Sequence, residues 1–174
     1  MELSQSKKIF GSFFSFASWW ICILGATYIP QKYKLLFFSL FALASLLTHS
    51  LWVLKGQKSF WPFYGLLLVL GLLGDSLLFR LGFFRGVGEL PLYLPYWLIA
   101  MWVVFPLNFG HAFKKILEKP AIAFAFGILG APLAYKAGPS FGILDLGPNA
   151  LFAVSAFWAF FMGASLFLAK KLKV

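Results

Sequence analysis

The chemistry open to this chain rests on very few side chains. It has five acidic residues, and one of them, Asp75, falls inside an apolar run, GLLGDSLLFRLG. Arg80 follows near the end of that run, so on a helix the carboxyl lies about 7.5 Å deeper than the base. A carboxylate placed within a bilayer is costly and needs a partner, a proton or a ligand. Lys136, Arg80 or a hydroxyl such as Tyr135 is the expected partner. A second polar group is His49, Asn108 and His111. Asn108 and His111 are three positions apart and share one side of a helix. Pro106, just before them, removes a backbone donor, bends the helix and frees a carbonyl near mid-span. A bend beside polar side chains either lines a cavity or feeds hydrogen bonds between helices. Metal-ligand spacings of the HExxH kind are absent, so no metal or other cofactor is expected. So are a Ser-His-Asp arrangement, a carboxylate pair and a phosphate loop; GLLGDS lacks the Lys-Ser/Thr ending that such a loop needs.

The elements that hold these residues follow from composition. The chain has 174 residues, 61% hydrophobic and 11% charged, where soluble domains carry about 25% charged residues. That balance predicts an all-α, polytopic membrane bundle, with residues 1–174 as a single integral membrane domain. Six transmembrane helices are expected, at about 9–29, 35–54, 60–80, 96–113, 121–137 and 149–169. The basic N-terminus and first apolar run resemble a signal peptide. The run is long and no A-x-A-like cleavage site follows, so it reads as a retained first span. Net charge is +10, but the bases sit between apolar runs, where they orient helices and meet anionic headgroups. Membrane lipids are therefore the expected partners, and nucleic acid is not. With the N-terminus inside, the cytoplasmic loops hold ten bases and the outer ones five, which puts both termini in the cytoplasm. The lone Cys22 has no internal disulfide partner.

A pattern repeats within the bundle. Gly71 to Gly82 (GLLGDSLLFRLG) and Gly127 to Gly138 (GILGAPLAYKAG) agree at Gly, Leu, Gly, Leu, aromatic, base and Gly. A weaker copy places Gly25 where Gly74 and Gly130 stand. This predicts repeated helical hairpins, up to three, related by an axis along the membrane normal. Gly74 and Gly130 are expected at close helix contacts. Asp75 aligns with Ala131, so the acid is not required by the repeat's packing. Trp52, Trp61, Tyr93, Tyr96 and Trp97 suit an interfacial belt, while Trp19 and Trp20 fall mid-span and read as packing residues. Arg85, Glu89, Lys136 and Asp145 are assigned to outer loops. GFFRGVGEL, with Pro91 and Pro95, reads as an exposed connection.

The stretch Gly127 to Gly138 resembles the Gly-Gly-Pro-Leu-x-Tyr-x-x-Gly segment of a family of small bacterial inner-membrane proteins, catalogued as a domain of unknown function. Leu73 to Leu77 resembles that family's Asp-bearing helix. Pro95, Trp97, Ala100, Trp102, Phe105, Leu107 and Asn108 resemble its Trp-rich helix. This chain has Ala131 in place of the second Gly. The resemblance implies an inner-membrane location. It also implies a link to lipid modification, since genes of the family often lie beside cyclopropane-fatty-acid-synthase-like genes. Three functions are compatible with these readings. The chain binds or carries a lipid-like or small polar molecule; it is accessory to a lipid-modifying protein partner; or it is a membrane-embedded enzyme using Asp75 or His49/His111 for proton transfer. Asp75, Asn108, His111, His49, Tyr135 and Lys136 are the candidate ligand-binding or proton-handling residues.

Overall fold

The computed structural model describes residues 4–87 and 94–174. Glu89, Pro91 and Tyr93, expected in an outer connection, lie outside the described residues. Among the described residues, five helices are long and apolar enough to cross a membrane: α1 (Gln5–Tyr28), α2 (Gln31–Val53), α3 (Phe60–Arg80), α5 (Pro120–Ser140) and α6 (Ala150–Leu172). Between α3 and α5 lies a shorter apolar helix, α4 (Tyr96–Gly110). Proline sets several boundaries. Pro30 bars Ile29 from helical geometry, and Ile29 turns out at φ −75°, ψ 126°, which ends α1. Pro120 opens α5 at its first turn, where a missing N–H costs nothing. Gly82, at φ +78°, closes α3 in a left-handed turn that a side chain would oppose.

Each hairpin folds back on itself, but the packing also crosses between hairpins. α1 packs on α2 and α4, α2 on α4, α5 on α6, and α3 runs along α6. Large apolar residues point outward all round the bundle. Phe13, Leu73, Leu133, Phe152 and Phe167 are all more than half exposed, a surface that suits a hydrocarbon surround and not water. The largest side chains buried inside are aromatic, with Phe60, Phe63, Phe84, Phe109 and Phe161 wholly covered.

The all-α expectation needs one correction. Two three-residue strands, β1 (Phe84–Gly86) and β2 (Leu144–Leu146), pair antiparallel with Arg85 opposite Asp145. β1 follows α3 and β2 follows α5, so this strap joins the ends of the two helices that share the Gly pattern. Phe84 is wholly buried within it, so this part of the connection is not the exposed loop expected. Lys136 is likewise not in a loop; it projects from α5 and is exposed. The opposite end of the bundle, where α2 and α4 finish, is called here the histidine end.

Candidate functional site

Asp75 sits on α3 with no exposed surface. Its partners are two neutral donors, not the bases Arg80 and Lys136, both of which are exposed. The Tyr135 hydroxyl on α5 lies 2.6 Å from each carboxyl oxygen. The indole N–H of Trp102 on α4 donates to Oδ2, also at 2.6 Å. One carboxyl thus ties three helices together. Hydrogen bonds that satisfy a buried acid in this way keep it from an unpaired state that would cost several kcal/mol by most estimates.

Around this acid the two Gly-patterned halves are built alike. The interval from Gly71 to Trp102 equals that from Gly127 to Trp158. The Trp102 ring lies directly on Gly71, where a Cβ would overlap it, and Gly127 lies against the Trp158 carbonyl and Met162. The two indoles stack on each other, centroids 5.4 Å apart at 24°. Trp102 meets Phe161 at 5.2 Å, and Trp158 meets Phe105 at the same 5.2 Å. The halves then diverge. Gly74 is covered by the Phe157 ring, so closely that no Cβ would fit, whereas a Cβ on Gly130 would meet only Phe126 of its own helix, at 3.7 Å. The expected contact at Gly130 is therefore not made. Trp102 has Asp75 as acceptor; Trp158, whose half carries Ala131 instead, has no carboxylate. Its N–H is buried and faces the Tyr135 hydroxyl, but closes no hydrogen bond of good geometry among the described residues.

Both helices at this divergence are irregular for local reasons. In α4 the α-helix stops at Val104, and Phe105–Gly110 winds as a 3-10 helix containing Pro106. The carbonyl of Val103 there accepts the Tyr64 hydroxyl at 2.9 Å. In α5, Phe126–Gly130 is a wide π turn. Pro132 cannot donate to Ile128 four residues back, and that carbonyl takes the Ser155 hydroxyl of α6 instead, at 3.1 Å. Such wide turns often accompany functional sites.

Asn108 and His111 take different partners, because the 3-10 helix ends at Gly110 and His111 leaves helical geometry, at φ −144°, ψ −75°. The Ser15 hydroxyl of α1 donates to Asn108 Oδ1 at 2.6 Å. His111 meets His49, Nε2 to Nε2, at 3.0 Å. The ring hydrogens follow from the other contacts. The Ser45 carbonyl, 2.8 Å from His49 Nδ1, only accepts, so His49 carries its hydrogen there. The Ala112 N–H, 2.7 Å from His111 Nδ1, only donates, so that nitrogen is bare. His111 Nε2–H therefore donates to His49 Nε2, and all four ring nitrogens are engaged. Gly11 of α1 makes room for His111, and Phe14 closes on His49 at 4.5 Å.

A cavity of about 590 Å³ runs between α1, α4 and α5. Trp19, Cys22, Met101, Phe105, Ala131 and Ala134 form much of its apolar wall, and Tyr135, Trp158, Asn108 and Ser15 contribute polar edges. Phe16 and Ser12, exposed on the bundle surface, form its rim. No charged side chain is among its described lining residues. The cavity lies where α4 and α5 stand apart, while their counterparts α6 and α3 run in contact. Of the residues singled out by type, Asp75 and Tyr135 come together, as do His49 and His111; Asn108 lies on the cavity wall, and Lys136 stands outside. Sequence reasoning passed over Trp158 and Ser15. The signal for Trp158 is WVVF at 102–105 recurring as WAFF at 158–161.

No curated protein and no solved structure matches this chain. Residues 10–164, nearly the whole length, match the family described as a protein of unknown function (DUF2878), and the chain belongs to that family.

Proposed function

We propose that this protein is a multi-pass protein of the bacterial inner membrane that binds or carries a lipid-like molecule in the cavity between α1, α4 and α5. The cavity is the observation that carries this reading. Its volume falls within the range of roughly 300–1,000 Å³ typical of small-molecule sites, its wall is apolar and aromatic, and its rim reaches the surface that faces hydrocarbon. α4 counts as the sixth span in this reading, and residues 1–174 form one membrane domain with both termini in the cytoplasm. The strap supports that topology, because β1 and β2 can pair only if both connections lie on one side. The equal Trp–Phe distances support a duplicated hairpin, α3–α4 and α5–α6; Gly25, which packs on Phe37 and Phe38, is weaker support for a third. A role beside a lipid-modifying protein is compatible with a lipid-filled cavity.

Proton transfer by His49/His111 or by Asp75 is the competing reading. Against it stand the four engaged imidazole nitrogens and a carboxyl already holding two donors, which leave no free group facing the cavity.

Two experiments test the proposal. Lipid extracted from purified protein and identified by mass spectrometry should be stoichiometric in the wild type and lost in Gly130→Leu, whose side chain enters the cavity without meeting another helix. Equal lipid in both proteins would remove the cavity from consideration. For topology, in a Cys22→Ser background, Lys55→Cys and Lys115→Cys should resist an impermeant thiol reagent in intact cells, while Arg85→Cys and Ser140→Cys react. The reverse pattern would overturn the orientation.

A further inference from the structure

The cavity lies lengthwise in the bundle and is polar at one end. Its lining on α1 runs from Ser12 to Ile23, about 16 Å along the helix at 1.5 Å per residue. Gly11, packed on His111, marks the Ser12 end as the histidine end. There Ser12, Ser15 and Ser18 line the space, and their hydrogens are already given away. Ser12 donates to the Lys8 carbonyl and Ser18 to the Ser15 carbonyl, each at 3.1 Å. Ser15 gives its hydrogen between the Gly11 carbonyl at 2.9 Å and Asn108 Oδ1 at 2.6 Å. What the serines leave is oxygen lone pairs. Asn108, on the facing helix, is only 3% exposed and lines the same space. Its Oδ1 is taken by Ser15, while its amide nitrogen makes no hydrogen bond among the described residues. That nitrogen is not sealed either, for Trp158 Nε1 is the one fully covered, unpaired side-chain nitrogen or oxygen among them. A buried amide open only to the cavity is a donor for whatever fills the cavity. At the other end, Tyr135 and Trp102 are held by Asp75.

We propose that the occupant is an uncharged lipid with a free hydroxyl group, of the long-chain alcohol or acylglycerol class. Its hydroxyl oxygen accepts an Asn108 amide hydrogen, and its hydroxyl hydrogen goes to a serine oxygen of α1. The chain runs toward the strap between Trp19, Met101 and Ala134. A hydroxyl is the matching head because the wall offers a donor and acceptors side by side; an ether or an ester uses only the donor. A hydroxyl also meets either end of an amide, as donor or as acceptor. The head is uncharged because no charged side chain is among the described lining residues, and a charge buried without a counter-charge is costly. Asn108 transfers no proton, so the contact is one of binding. This inference rests on the cavity reading and names the class of its ligand.

The test compares four probes with one eighteen-carbon chain on purified protein in detergent: octadecanol, methyl octadecyl ether, octadecane, and stearate at pH 8. Wild type should retain octadecanol about tenfold better than octadecane, the scale of one or two net hydrogen bonds. The ether, which accepts but does not donate, should be retained about threefold less well than the alcohol, the scale of one weak bond. Stearate should do no better than octadecane. Asn108→Leu should hold alcohol and alkane equally, with alkane retention unchanged. Asn108→Leu combined with Ser15→Ala strands neither partner of their hydrogen bond; it should behave in the same way, and it decides the matter if the single variant does not fold. Equal retention of alcohol and alkane by wild type, or of alcohol and ether, overturns the inference while leaving the cavity reading in place. So does a preference for stearate, or an alcohol preference that survives either variant. Failure of every probe to bind wild type, with no lipid extracted from it, sinks both.

Discussion

The α3–α4 and α5–α6 halves use one set of glycines and tryptophans to opposite ends. Around Asp75, both carboxyl oxygens are paired and an aromatic ring fills the space over the second glycine. Around Ala131 there is no carboxyl, the Trp158 indole turns toward the Tyr135 hydroxyl, and α4 and α5 stand apart. Packing in a membrane depends on close fit more than on expulsion of water, since lipid tails are as apolar as the core. The repeated contact that carries an acid is a joint, and the one that lacks it lines a pocket.

Substitutions in the closed half should do the most damage. Asp75→Ala strands the Tyr135 and Trp102 donors together, for a loss of about 2–6 kcal/mol at the usual cost of an unmatched buried donor. Thermal unfolding in detergent should show it, and adding Tyr135→Phe should restore part of the loss. An unchanged melting curve would mean that the network carries no weight. Leucine at the two glycines sharpens the contrast: Gly74→Leu must displace Phe157 and should cost about 1–3 kcal/mol or more, while Gly130→Leu should purify with near wild-type stability. Equal behaviour of the pair would erase the difference between the halves. Smallest of all, Lys136→Ala and Arg80→Ala should each shift stability by less than about 0.5 kcal/mol, because neither exposed base touches the acid; a drop as large as that of Asp75→Ala would restore the ion pair expected from sequence.

Asp75 was legible because a charge inside an apolar run has no inexpensive explanation, and the Gly pattern marked the helices that would flank it. Its partners were harder to read. Trp102 and Trp158 look like any aromatic in a chain with 21% aromatic residues, and only their matched intervals set them apart. The separation of Asn108 from His111 depended on where α4 ends after Pro106. A three-position spacing pairs residues within a helix, and 3-10 winding aligns them further, but the helix stops at Gly110 and the turn at His111 sends it to a different neighbour. The strap was invisible because three-residue strands are too short to show alternation. Long apolar helices announce themselves by composition, whereas the sites between them are made by departures from regular winding.

The strap also decides how α5 can move. Its residues Leu144–Leu146 bind the end of α5 to the end of α3, and the Gly147 N–H adds a bond to the Phe83 carbonyl at 2.8 Å. The Ser140 end of α5 is therefore fixed against α3, and its Phe126–Gly130 segment is fixed against α6 by the close contact of Gly127 with Trp158 and by the Ser155 bond to Ile128. Held along its length in this way, α5 keeps Tyr135 against Asp75, and the cavity wall that it forms is rigid.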